Sequence, residues 1–217
     1  MKKIEAVLFD MDGVIFDTER IYLEIWTSVF NKYGYKMTKD VYVTVMGRGR
    51  ENVIKTFIDI YGNDLPIMKM YDEKDELLLQ IIDAGEVPIK PGAIEIIKSL
   101  KENGYKVALA TSAKRNRLDK QLKIGDIKDI FDAIVCGDDV TNAKPDPEIF
   151  LDAAQKLSVS PKKCIVIEDS PAGIKAAYNA NMVGLHVEDL KKSDEEIKKY
   201  CNRSFGNLFE IKEYLKI

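Results

Sequence analysis

Cysteine is scarce in this chain: Cys136, Cys164 and Cys201 are the whole supply. They are odd in number, form no CxxC pair, and the first two sit in apolar runs that read as buried strands. All three are therefore expected to be reduced thiols of a cytoplasmic protein. An excess of one charge is also missing. The 33 basic and 36 acidic residues are mixed along the chain and sum to -3, so no basic stripe addresses nucleic acid or an anionic membrane. A small molecule is the expected partner, and a monomer the expected state. Histidine occurs once, at His186 in the last apolar run, and is expected to be a structural or surface residue. Long apolar runs are absent too. The stretch Lys2 to Phe9 is too short for a signal segment, is interrupted by Glu5 and leads directly into Asp10, so no targeting or anchoring is expected. No repeat or low-complexity segment occurs.

What is present suits an ordinary globular protein: 46% apolar and 32% charged residues over 217 positions can fill the core of one or two domains. Residues 4 to 9 are apolar and rich in strand formers, and four later runs resemble them: Lys106 to Ala110, Ala133 to Cys136, Cys164 to Ile167 and Val183 to Val187. Between them lie helical patterns such as Ile94, Ile97 and Leu100, closed by Asn103-Gly104, and Ile149, Phe150, Ala153 and Leu157, opened by Asp146-Pro147. Alternation of this kind predicts an α/β fold: a Rossmann-like, doubly wound parallel sheet with its ligand at the carboxyl ends of the strands. From Phe16 to Val87 the period changes. Tyr22, Ile25, Trp26, Val29 and Tyr33, then Val53, Ile54, Phe57, Ile58 and Tyr61, recur at helical spacing. The expected organisation is a core of residues 1–15 and 88–217 with a helical cap of residues 16–87 over the functional edge, hinged near Ile15 to Thr18 and Val87 to Pro91.

Asp10-Met11-Asp12-Gly13 follows the first strand directly, placing two carboxylates at its end before a glycine that permits a tight departure. A turn in which one aspartate caps the next helix is the plainer alternative. An EF-hand fits worse, because its glycine stands sixth in the loop and here it stands fourth. Glu168-Asp169 ends the fourth apolar run, and Ser170-Pro171 then looks like a helix cap and first turn. Four carboxylates aimed at one sheet edge repel by several kcal/mol in a partly buried site and call for a cation, on the order of what Coulomb's law gives at such spacing. Oxygen ligands favour Mg²⁺ over zinc or copper. Thr111-Ser112 ends the second run with hydroxyl and backbone donors for a phosphate oxygen, and Lys144, fixed by Pro145 and Pro147, can neutralise nucleophile and phosphate.

In this order, Asp10-x-Asp12-Gly13, Thr111-Ser112, Lys144-Pro145-Asp146-Pro147 and Glu168-Asp169-Ser170-Pro171-Ala172-Gly173 resemble the four motifs of the haloacid dehalogenase-like hydrolases. The closest branch by resemblance is the β-phosphoglucomutase-like phosphatases, with a small helical cap. That resemblance implies Asp10 as nucleophile, Asp12 as acid and base, Thr111, Ser112 and Lys144 as phosphate binders, and Asp10 and Asp169 as metal ligands. It further implies that Asp12 lends its backbone carbonyl to the metal and that Glu168 binds it directly or through water. Asp12 favours phosphate esters over haloacids, since the family's dehalogenases lack that residue. In the cap, Gly47, Arg48 and Arg50 form the most polar stretch at a helix start, and Arg50 matches the arginine with which the mutase cap clamps a distal phosphate. Tyr22 stands where the mutases carry a histidine. The expected function is a Mg²⁺-dependent phosphatase of sugar or nucleoside phosphates, with β-phosphoglucomutase as the alternative. A receiver domain, about half this length and uncapped, is the non-enzymatic alternative.

Overall fold

The computed structural model of the chain describes residues 3–217. After the first strand, β1 (Ala6–Phe9), the chain enters four helices, α1 (Thr18–Lys32), α2 (Lys39–Val43), α3 (Arg50–Tyr61) and α4 (Ile67–Asp83). Their apolar stripes close on one another as a separate cluster, because each carries only one apolar face. Trp26 is its hub, packed edge-on against Phe30, Phe57 and Tyr71 with ring centroids 5.2 to 5.7 Å apart. The chain enters and leaves this bundle along a double connection. Asp17 N–H donates to Pro88 O (2.9 Å), Lys90 N–H donates to Ile15 O (2.8 Å), and Phe16 bridges Ile89.

The remainder alternates: α5 (Ala93–Glu102), β2 (Lys106–Ala110), α6 (Arg115–Ile124), β3 (Ala133–Val135), α7 (Glu148–Lys156), β4 (Cys164–Glu168), α8 (Pro171–Asn179), β5 (Val183–Val187), α9 (Glu195–Tyr200), β6 (Arg203–Phe205) and α10 (Leu208–Leu215). All strands pair in parallel, in the order β3-β2-β1-β4-β5-β6. β6 adds a sixth strand to the five apolar runs: three residues with an exposed arginine carry too little apolar pattern, and pairing with β5 is what makes them a strand. Side chains alternate across the sheet. Val7, Phe9, Val107 and Leu109 face one apolar cluster with α5, α6 and α10, while Ala6, Leu8, Ala108 and Val166 face the other with α7 and α8.

β1 lies between β2 and β4, and the strand order reverses there, which opens a crevice at the carboxyl ends. Phe9 is in register with Leu109 and Ile167. Asp10 follows Phe9, Glu168 follows Ile167 as the last residue of β4, and Thr111 follows Ala110 at the end of β2, so the three emerge at one edge. Among the described residues, no helix is long and apolar enough to cross a membrane.

Candidate active site

At that edge Asp10, Glu168 and Asp169, all buried, each bring a carboxylate oxygen to within 4.8 Å of the others. Lys144, 1% exposed, donates through Nζ to Asp10 Oδ1 (2.5 Å) and Glu168 Oε1 (2.8 Å). Glu168 Oε2 accepts from Ser170 N–H (2.7 Å) and Ser170 Oγ (2.8 Å), and Ser170 Oγ in turn accepts from Gly173 N–H, capping α8. Both Glu168 oxygens thus have donors. Asp169 differs: among the described residues its Oδ2 is buried with no hydrogen-bond partner. Gly13, with φ of 72°, makes room for that oxygen, since a Cβ there would stand 2.1 Å from it.

Three carboxylates gather around one ammonium that bonds only two of them, and the electrostatics follow. Burial pushes Asp10 up to about 7; Lys144 opposes this, while Glu168 and Asp12 add to it. Asp169 rises well above the carboxylate range, first through burial and then through Glu168, Glu19 and Asp10. Burial alone would lower Lys144, but Asp10 and Glu168 reverse this and raise it. An all-oxygen donor set with an orphaned buried oxygen and surplus negative charge fits a hard divalent cation such as Mg²⁺.

Asp12 points elsewhere. Its carboxylate accepts from Thr18 Oγ1 (2.6 Å) and, through both oxygens, from Arg117 Nη1 (2.8 Å) and Nη2 (2.5 Å). Burial would raise Asp12, yet Arg117 and Thr18 hold it below the usual carboxylate range. Its side chain stands outside the three-carboxylate group. Nearby, Glu19 accepts from Tyr42 Oη and is pushed up to about 8, chiefly by burial. No motif in the sequence marks Glu19, Arg117 or Lys74. Two of these carried a signal: Lys74 interrupts the buried stripe Met70, Tyr71, Leu78 of α4, and Arg117 stands beside Leu118 on the buried face of α6.

A cavity of about 960 Å³ lies between sheet edge and helical bundle and reaches Asp10, Asp12, Asp169 and Lys144. Ser112 lines it and donates through Oγ to Gly47 O (3.3 Å). Thr111 is buried behind it, its Oγ1 accepting from Ala113 N–H (3.1 Å) in the turn that ends β2. Gly47, with φ of 70°, seats the bundle on the core, for a Cβ there would stand 2.0 Å from Ser170 Oγ. Arg50 lines the cavity but is shared between Asp72 (2.9 Å) and Asp75 (3.3 Å) and lies 4.3 Å over the Tyr71 ring. Arg48 reaches the cavity with a long bond to Thr56 Oγ1 (3.4 Å). Lys74 is buried among Tyr71, Tyr22 and Trp26, with its Nζ 4.5, 5.1 and 5.7 Å from their ring centroids, and pairs with Asp75. His186 is fully buried, its Nε2 3.1 Å from Asp169 O. Distant in sequence, it reaches the site through the pairing of Glu168 with His186.

The family model described as haloacid dehalogenase-like hydrolase matches residues 7–187. The chain belongs to the haloacid dehalogenase-like hydrolases. This hydrolase is 35% identical over 183 residues to the phosphorylated carbohydrates phosphatase of Thermotoga maritima, covering 82% of each chain. Among solved structures, it superposes on the β-phosphoglucomutase of Clostridium difficile with a TM-score of 0.82 and 31% identity, over 98% of this chain and 96% of that one. It also superposes on CbbY of Rhodobacter sphaeroides in complex with phosphate, with a TM-score of 0.79 and 26% identity over 96% of each.

Proposed function

We propose that this hydrolase is a Mg²⁺-dependent phosphatase of small phosphorylated metabolites, sugar or nucleoside phosphates, working through an aspartyl phosphate on Asp10. One observation carries the reading: the Asp10 carboxylate stands at the strand-order switch, gripped by Lys144 and open to the cavity, within 4.8 Å of Asp169's unpartnered group. Asp10 and Asp169 would hold the metal, with Glu168 behind them directly or through water and the Asp12 backbone carbonyl completing the set. The cation supplies positive charge that offsets the substrate phosphate and makes ionised Asp10 compatible with burial.

In the first half-reaction an Asp10 oxygen attacks phosphorus and the phosphorus–ester oxygen bond breaks; Asp12, held as a carboxylate by Arg117 and Thr18, takes up a proton as the phosphate dianion enters beside it and gives that proton to the departing alkoxide. Lys144, with the Thr111-Ser112 turn, holds the phosphoryl oxygens as charge redistributes. In the second, water attacks phosphorus, Asp12 takes the water's proton, and the acyl phosphate bond breaks to regenerate Asp10. Residues 16–87 act as a cap over residues 1–15 and 88–217, excluding bulk water during the first half and admitting one water for the second.

The likeness to a β-phosphoglucomutase favours a second reading, in which the phosphoryl group passes to a sugar hydroxyl instead of water. Tyr22 at the position of the mutase histidine favours the phosphatase. The deciding assay follows phosphate release from a panel of sugar and nucleoside monophosphates, with Mg²⁺ and with a chelator, alongside coupled detection of glucose 6-phosphate from β-glucose 1-phosphate. Metal-dependent phosphate release is expected. Glucose 6-phosphate with little free phosphate would establish the mutase, and turnover that survives chelation would remove the metal from the mechanism.

A further inference from the structure

The three donors on Asp12 come from two different parts of the molecule. Thr18 begins α1 of the helical bundle, whereas Arg117 lies in the first turn of α6 on the sheet core. Thr18 engages Oδ1 alone and leaves the carboxylate free to rotate about that contact. Arg117 engages both oxygens, and a planar fork on a planar carboxylate fixes its plane as well as its place.

The fork is itself held. Its Nη1 donates to Oε1 of buried Gln121 one turn along α6 (2.8 Å), the Tyr22 ring lies 5.6 Å from the guanidinium carbon, and the side chain is 10% exposed. A surface ion pair would show none of this enclosure. Both Asp12 and Arg117 line the cavity beside Asp10.

We infer that Arg117 is the positioning residue that fixes the Asp12 carboxylate for its proton transfers, an inference that rests on the phosphatase reading. Proton transfer requires heavy atoms within hydrogen-bond reach, and small displacements of a catalytic group are costly in rate. Arg117 directs both of its terminal nitrogens at Asp12. Its influence passes through Asp12, so it acts only on steps in which Asp12 moves a proton.

Leaving-group dependence separates this role from a merely structural one. An aryl phosphate such as p-nitrophenyl phosphate expels a stable anion that needs no proton, whereas an alkyl phosphate such as glycerol phosphate expels an alkoxide that does. With Mg²⁺, Arg117→Gln is expected to lower kcat/KM for the alkyl ester about 30- to 100-fold and that for the aryl ester less than about 3-fold, in line with the usual scale of general-acid catalysis. On the aryl ester the variant should also show a pre-steady-state burst of nitrophenol, because the phosphoenzyme then waits for poorly activated water. Arg117→Lys, which keeps the charge but not the fork, should lie between wild type and Arg117→Gln, and it carries the same comparison if the glutamine variant does not fold. Equal losses on both esters, or no loss on either, would overturn the inference while wild-type turnover leaves the phosphatase reading standing. A wild-type protein that releases phosphate from neither ester defeats the phosphatase reading itself.

Discussion

Lys144→Met tests the electrostatic account of the site most directly. The substitution keeps a long apolar stem but removes the ammonium that donates to Asp10 at 2.5 Å and Glu168 at 2.8 Å. Two buried carboxylates then lose their facing cation, and breaking a buried pair from one side costs about 3–5 kcal/mol. At about 2–4 °C per kcal/mol for a chain of this size, the melting midpoint should fall roughly 6–20 °C at pH 8 with chelator present. The sign with pH follows from Asp10, which stands at about 7 even with Lys144 in place. A carboxyl whose folded value exceeds its unfolded value of about 3.9 destabilises the fold increasingly as pH rises between the two, because the folded form alone still favours the proton. Without Lys144 the folded value rises further, so the deficit should be large at pH 8 and small at pH 5. Differential scanning fluorimetry at the two values measures it. An equal fall at both would refute the reasoning and assign the loss to packing, since Lys144 Nζ also lies 4.9 Å from the Phe150 ring.

Mg²⁺ should raise the wild-type midpoint more at pH 8 than at pH 5.5, because Asp10 and Asp169, both raised by burial, must shed protons to bind it; titration by fluorimetry at the two values checks the sign. Asp10→Asn should abolish phosphate release without lowering the melting midpoint, and no acid-stable or trapped phosphoenzyme should form; residual turnover would transfer the nucleophile's part to another residue. Gly47→Ala forces a Cβ to within 2.0 Å of Ser170 Oγ at a φ of 70° and should cost about 1–3 kcal/mol, with at least about a tenfold loss of kcat/KM. Unchanged kinetics there would mean that the bundle does not work from this seat on the core.

Much was legible in the sequence because it is written locally. Five of the six strands announce themselves as apolar runs, and the helical period of residues 22–61 separates the bundle from the sheet core. The acidic pairs stand at strand ends, and a parallel sheet brings strand ends to one edge whatever their separation along the chain. The family resemblance made on those motifs agrees with the match over residues 7–187.

Partnership was decided only by the tertiary structure. No spacing shows that Glu168 has a donor on each oxygen while, among the described residues, buried Asp169 Oδ2 has none, or that Arg50 is already shared by Asp72 and Asp75. Arg117 and Asp12 are separated by 105 positions, and His186 reaches Asp169 only because β5 lies beside β4. Lys74 interrupts an apolar stripe in the sequence, but only packing shows that three aromatic rings close around it. Secondary structure follows from periodicity, which neighbouring residues carry. The charge state and aim of a side chain follow from which groups packing brings within a few ångströms after desolvation, and packing joins residues that the sequence keeps far apart.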